Sequence, residues 1–148
     1  MIRPASVTPA FSHRIEVRFR DCDAFKHVNN AVYFTYFEQA RLVMAETLGL
    51  RRTLEEAGLS LILAHTSCDY KVQVVFGDQI EVRVGVNRIG GASFTLDMEA
   101  RRVRDDALVA TSKSVQVVYD YSVERPVRIP DTLREKLESL MSGSPVVT

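Results

Sequence analysis

Two aspartates one residue apart, Asp21 and Asp23, stand just ahead of the run His27-Val28-Asn29-Asn30. A carboxylate in a polar loop can take a proton from water or attack an electrophilic carbon itself. If a helix begins at the asparagines, its first backbone N–H groups have no intrahelical partner and lie at the positive end of the helix dipole. Such donors stabilise a developing oxyanion. Asp23 lies seven residues before Asn30, so a loop that folds back brings both to one reacting carbon. Taken alone, a loop aspartate is more often an Asx turn, and Asn29 or Asn30 more often caps the helix. His27 can carry a proton or hold the loop by hydrogen bonding, and the orienting role is the reading adopted. Asp21 reads as structural, in a turn or as a partner for Arg18 or Arg20.

The elements that must position these residues follow from periodicity. Residues 13–20 alternate, with Ile15, Val17 and Phe19 on one side and Arg14, Glu16, Arg18 and Arg20 on the other, which predicts a half-buried strand. From Ala31 to Leu48 the period changes: Tyr33, Phe37, Ala40, Met44 and Leu48 recur at spacings of three and four, one apolar face of a helix that Gly49 can stop. Phe37 reads as core, and Tyr33, in the first turn, as a candidate wall of a pocket. Glu38 and Arg41 are three apart and can pair. Residues 51–57 suggest a short helical piece closed by Gly58. Strands are then expected over 61–75, 79–87, 94–101 and 108–119, separated by Gly77-Asp78, Gly90-Gly91 and Asp105-Asp106, in an antiparallel meander. Asp131 can cap a final helix over 132–141. Residues 1–12 and 142–148 read as loose tails of a single domain spanning 1–148. The class is α+β: an antiparallel sheet of five to six strands with one apolar face, covered by the one long helix.

The stretch Val17-Arg18-Phe19-Arg20-Asp21-Cys22-Asp23-Ala24-Phe25-Lys26-His27-Val28-Asn29-Asn30, continued through Tyr33, Tyr36, Glu38, Ala40 and Arg41, resembles the hotdog thioesterases of the 4-hydroxybenzoyl-CoA thioesterase type. Phe76-Gly77-Asp78, the 88–94 hairpin and the 125–130 exit resemble the same family in the same order. The resemblance implies a hotdog fold in homodimers or homotetramers, with sites between subunits. It implies hydrolysis of an acyl-CoA thioester to the free acid and CoA, without a cofactor. Carried over position by position, it makes Asp23 the catalytic carboxylate, as base or nucleophile. The Asn30 peptide N–H becomes the oxyanion donor, and His27 a helper. Asn29, Tyr33 and Ser93 are the candidate substrate contacts. Arg88, Arg101, Arg102 and Arg104 are either contacts for CoA phosphates or a solvated strand edge. The chain carries Ala24-Phe25-Lys26 where the founding branch has a Pro-Ala-Gly type loop, so a fatty acyl-CoA is expected rather than 4-hydroxybenzoyl-CoA. An acyl-carrier-protein thioesterase and a non-enzymatic acyl-binding module are the alternatives.

Composition narrows the remaining classes. Nineteen basic and nineteen acidic residues give a formal net charge of +0, with no electrostatic footprint for nucleic acid. The longest apolar run, 61–64, is far short of a membrane span, and residues 1–12 hold no signal-peptide core. Two cysteines, Cys22 and Cys68, make no disulfide framework, and a reducing cytoplasm is expected. His13, His27 and His65 lack ligand spacing, so no metal is expected. There is no Gly-x-Ser-x-Gly elbow, dinucleotide fingerprint or phosphate loop.

Overall fold

The computed structural model describes residues 10–141 and the backbone of 142 and 146–147. Strand β1 runs over Phe11–Glu16, earlier than its alternation suggests. Ile15 and Val17 do point into the core. The chain then leaves the sheet in a 3-10 turn at Phe19–Asp21, and Phe19 turns outward at 77% exposure. The cause is Asp21, whose buried carboxylate accepts the Arg18 backbone N–H at 3.0 Å and the Arg18 guanidinium at 3.0 Å. That pairing closes a tight turn where strand alternation alone would continue.

Helix α1 spans Val32–Thr47 and buries Tyr33, Tyr36, Phe37, Ala40 and Met44, the face expected from the spacing. No ion pair forms between Glu38 and Arg41 among the described residues; Glu38 acts on Arg41 only through its charge. Gly49 ends the helix in the left-handed region at φ 72, where a side chain would be strained. Helix α2, Leu50–Glu56, follows directly.

The strands are β2 (Ser60–Tyr70), β3 (Gln79–Ile89), β4 (Ser93–Arg102), β5 (Ala107–Asp120), β6 (Arg125–Pro126) and β7 (Val146–Val147), with helix α3 at Asp131–Ser142. Strand β2 stops at Tyr70 instead of running to Val75. Residues 71–78 cross over, so β3, β4 and β5 form the expected meander while β2 pairs with the far side of β5. The sheet order is β2-β5-β4-β3-β1-β7. All pairings among the long strands are antiparallel; β7 lies parallel to β1. The two expected tails are thus partly structured: Phe11 and Ser12 belong to β1, Ser142 ends α3, and 146–147 pair with β1. Residues 1–9, 143–145 and 148 lie outside the described part.

The inner face of the sheet carries Ile80, Val82 and Val84 from β3 and Phe94, Leu96 and Met98 from β4, all buried beneath α1. Leu133 and Leu137 of α3 extend the same core. A curled antiparallel sheet around one long helix is the hotdog fold. No helix among the described residues is long and apolar enough to cross a membrane.

Candidate active site

The loop between β1 and α1 is a small hairpin. Cys22 and Val28 bridge as antiparallel partners, and the Asp23 N–H donates to the His27 carbonyl at 3.1 Å. The Lys26 N–H closes the tip on the Asp23 carbonyl at 2.9 Å, with Lys26 itself left-handed at φ 65. Two bonds hold the hairpin to the body of the protein: Val28 N–H to Val74 O, and Asn29 N–H to Asp21 O, both 2.9 Å.

Asp21 is the anchor. Besides the Arg18 groups, its carboxylate accepts the Tyr36 hydroxyl of α1 at 2.7 Å. Burial pushes the Asp21 carboxyl up, but the hydrogen bonds from the Arg18 backbone and side chain and from Tyr36 more than offset it, and the group stays below its ordinary value. Burial, joined by the same bond, raises the Tyr36 phenol. The structural role expected for Asp21, with Arg18 as partner, is what the fold contains.

Asp23 faces outward from this anchor. One carboxylate oxygen accepts the Phe25 N–H at 2.9 Å, and the other accepts the Asn29 side-chain amide at 3.3 Å. The Asn29 side-chain oxygen in turn accepts the Ala31 N–H at 2.9 Å. Asn29 therefore acts as a cap ahead of its usual position: the residue at the N-cap is Ala31, which has no side-chain bond of its own. Asn30 shows its carbonyl to Tyr70, whose hydroxyl donates to it at 2.7 Å. The Asn30 N–H has no partner among the described residues.

Asp23, His27, Asn29, Asn30 and Tyr33 line one cleft of about 710 Å³, walled on its far side by Tyr70 and residues 71–73. The Tyr33 and Tyr70 rings meet edge to face at 5.1 Å. Burial drives the Tyr33 phenol up to about 12, so it stays neutral at any physiological pH. The cleft therefore holds a carboxylate, a helix start and neutral aromatic walls.

Ser93 is not in this cleft. It sits at the hairpin end of the β3–β4 ladder, whose other end, at Ile80 and Arg102, lies by the cleft wall, Arg102 being bonded to Gln73. Nine steps of about 3.3 Å separate the two ends, roughly 30 Å. Within one chain the two are not brought together. Of the arginines, Arg101 pairs with Glu99 and Asp106, Arg102 with Asp105, and Arg104 with Asp78. They belong to an ion-pair lattice on the sheet, which meets the cleft where Arg102 donates to the Gln73 carbonyl at 3.1 Å.

Tyr70 is the cleft residue that sequence reasoning passes over. It closes a run read as one strand to Val75, and its partner is forty positions away. Alternation runs on unbroken through Lys71, Val72, Gln73 and Val74, so the pattern gives no signal that the strand ends at Tyr70.

The chain matches the model of the thioesterase-like superfamily over residues 17–137. Among curated proteins it is 31% identical over 87 residues to the uncharacterized YsmA of Bacillus subtilis (strain 168), a match covering 59% of this chain and 58% of that protein. It is 23% identical to the long-chain acyl-CoA thioesterase FadM of Escherichia coli (strain K12), over 86% of this chain and 97% of that one. Among solved structures it is similar to a thioesterase from Thermus thermophilus complexed with coenzyme A and Zn. That similarity has a TM-score of 0.77 and 28% identity, over 91% of this chain and 97% of the other. Fold, motif and family model agree that the chain belongs to the thioesterase-like superfamily and is a hotdog thioester hydrolase.

Proposed function

We propose that the protein hydrolyses acyl-CoA thioesters, with Asp23 as the catalytic carboxylate and the Asn30 N–H, with the start of α1, as the oxyanion donor. The observation that carries this reading is the placement of an outward-facing Asp23 carboxylate in the same cleft as Asn30. Asp23 is oriented by Phe25 and Asn29, so it needs no rearrangement to meet substrate. In the reaction Asp23 either removes a proton from water as it attacks the thioester carbon, or attacks directly to form a mixed anhydride that water then opens. The carbonyl oxygen gathers charge against the Asn30 N–H and the helix dipole. CoA leaves as a thiol after taking up a proton. His27, on the cleft wall, steadies the loop and polar substrate groups. Asn29 and Tyr33 contact the acyl-pantetheine junction. FadM and the CoA-bound Thermus protein support CoA as the carrier.

The proposal includes a homodimer. Strand β2 ends the sheet and is eleven residues long, with no strand on its outer edge among the described residues. Such an edge is a template for pairing. Two-fold antiparallel pairing of β2 with the partner's β2 sets the Tyr70 end of one beside the Ser60 end of the other. The Ser93 hairpin of one copy then approaches the cleft of the other, the route by which Ser93 joins the site. The proposal places the protein in a reducing cytoplasm, where Cys22 and Cys68 stay as thiols.

The test is release of free thiol from a panel of acyl-CoAs and matched acyl-carrier-protein thioesters, with wild type beside Asp23→Asn. A folded variant should lose about 10²- to 10⁴-fold in kcat, the range for a positioned general base. Equal rates would remove Asp23 from the mechanism, and no turnover of any thioester would remove the hydrolase reading.

A further inference from the structure

The middle of strand β5, from Ser112 to Val117, is patterned the wrong way round. In a sheet with one buried face, apolar residues belong inside and polar ones outside. Between the apolar, buried Ala110 and Val118 the inward, buried positions are Ser112, Ser114 and Gln116, whereas Val115 and Val117 on the other face are only partly buried. The register leaves no ambiguity: Ser112 pairs with Met98, Ser114 with Leu96 and Gln116 with Phe94, the inward row of β4. A one-residue slip would exchange the two sets, so the inversion is held against the hydrophobic pattern. Local violations of this kind mark functional sites.

The inverted positions are also short of partners. Ser112 Oγ, Ser114 Oγ and Thr66 Oγ1 are buried with no hydrogen-bond partner, and Ser114 is 0% exposed. Thr66 is the direct cross-strand neighbour of Ser114, and Cys68 of Ser112. Three adjacent buried hydroxyls on one wall, none engaged by the protein, have the donors and acceptors to hydrogen-bond a ligand oxygen. The strip is placed to receive one. At its outer end stand Cys68 and Tyr70, both close enough to act electrostatically on Tyr33 of the Asp23 cleft. At its inner end is a cavity of about 400 Å³ lined by Arg41, Glu38 and Gln116 with Leu63, Phe94 and Leu96. Arg41 is half-buried there and makes no ion pair among the described residues. From the Tyr70–Ala110 row to Ser112 and Ser114 is about 7 and 13 Å at roughly 3.3 Å per residue, the reach of a medium-length chain.

We infer that the acyl group enters along the inner wall of β5, and that the preferred substrates carry a hydrogen-bonding oxygen, a hydroxyl or carboxylate, toward the far end of a medium-length acyl chain. The inference rests on the thioesterase reading and adds the substrate class to it. Thr66, Ser112 and Ser114 are the specificity determinants for a hydroxyl. Arg41 adds the contact that a carboxylate needs, because a half-buried cation with no carboxylate in contact favours an anion. A plain hydrocarbon satisfies neither set. A site built to hydrogen-bond a substrate discriminates strongly against the analogue lacking that group.

The test uses dodecanoyl-CoA, ω-hydroxydodecanoyl-CoA and dodecanedioyl-CoA, the last being the same chain ending in a carboxylate. Thiol release gives kcat/KM for each, and calorimetry gives Kd for their non-hydrolysable thioether analogues. Wild type should favour at least one oxygenated chain over dodecanoyl by about tenfold or more. In Ser112→Ala/Ser114→Ala the hydroxyl preference should fall toward one, and in Arg41→Met the carboxylate preference should. Thr66→Val, nearly isosteric, reads the same hydroxyl preference should the double variant not fold. A wild-type preference for dodecanoyl overturns the inference, as does an oxygenated preference that none of these variants moves. If nothing is hydrolysed but the Kd ratios behave as stated, the hydrolase reading falls and the subsite stands. If the thioethers bind without discrimination, the subsite falls, whatever the rates show.

Discussion

Tyr70 shows how far a single hydroxyl can reach. Its bond to the Asn30 carbonyl joins the end of β2 to the peptide that leads into α1, and its ring braces Tyr33. Tyr70→Phe keeps the ring and removes the donor. The expected result is a fall in kcat of up to about tenfold with little change in KM, because a misplaced oxyanion donor weakens the transition state more than the bound substrate. Steady-state kinetics on one acyl-CoA decides it; a change confined to KM would make Tyr70 a binding residue only. Asp21 works through stability instead. Its folded pKa lies below the ordinary carboxylate value, so the stabilisation is complete above the unfolded value and disappears as pH falls through the folded one. Asp21→Asn should cost about 1–3 kcal/mol at neutral pH, since the Arg18 and Tyr36 donors lose a charged acceptor. The same variant should flatten the acid limb of the stability–pH curve, as urea titrations between neutral pH and acid would reveal. The spacing of Asp23 and Asn30 is readable from sequence because the two are near neighbours along the chain. Tyr70 is not, because nothing in a strand's end announces which distant carbonyl it will meet. Ser93 marks the other limit: its place in the motif order is visible, but its distance from the loop depends on how β3 and β4 run.

At the scale of the element, α1 carries the largest share of the architecture. Phe37 is fully buried at its centre, and Phe37→Ala should cost about 3–5 kcal/mol, measurable by denaturant unfolding. A loss under about 1 kcal/mol would mean that the core closes over the gap. The helix is legible from its period almost to the residue, and so are β3 and β4, because turns at Gly77-Asp78 and Gly90-Gly91 bracket clean alternation. The first strand is misread at Phe19, where alternation persists after the backbone has left the sheet. The pairing of β2 is misread for a different reason. A meander is the simplest order for short turns, yet residues 71–78 are long enough to cross, and nothing in their composition says which edge of the sheet they will reach. The inverted pattern of β5 is the clearest case of an element obeying its neighbours rather than its own composition.

For the molecule as a whole, pH and self-association are the accessible variables. The Tyr33 phenol is raised to about 12 by burial, above its ordinary value of 10.0. The neutral phenol is thus favoured by folding: stability is fully present below the unfolded value and is lost as pH rises from there through the folded one. Thermal melts across that interval should fall more steeply for wild type than for Tyr33→Phe. Association is tested by light scattering during size-exclusion chromatography, where the protein should run as a homodimer or a multiple of it. Ala64→Pro, on the open strand, should shift it toward monomer by blocking the ladder. A monomeric wild type would end the two-fold model and leave Ser93 outside the site.

The unpaired edge of β2 has one more consequence. In an antiparallel strand bonded on one side only, alternate amides point away from the partner and into water. Those protons exchange with solvent at rates set by exposure rather than by global unfolding. If a second copy covers them, their exchange slows as protein concentration rises, while the amides that face β5 keep the same rate. Deuterium uptake along Ser60–Tyr70, followed at two dilutions, would then separate the two sides of a single strand, residue by residue, without any substrate.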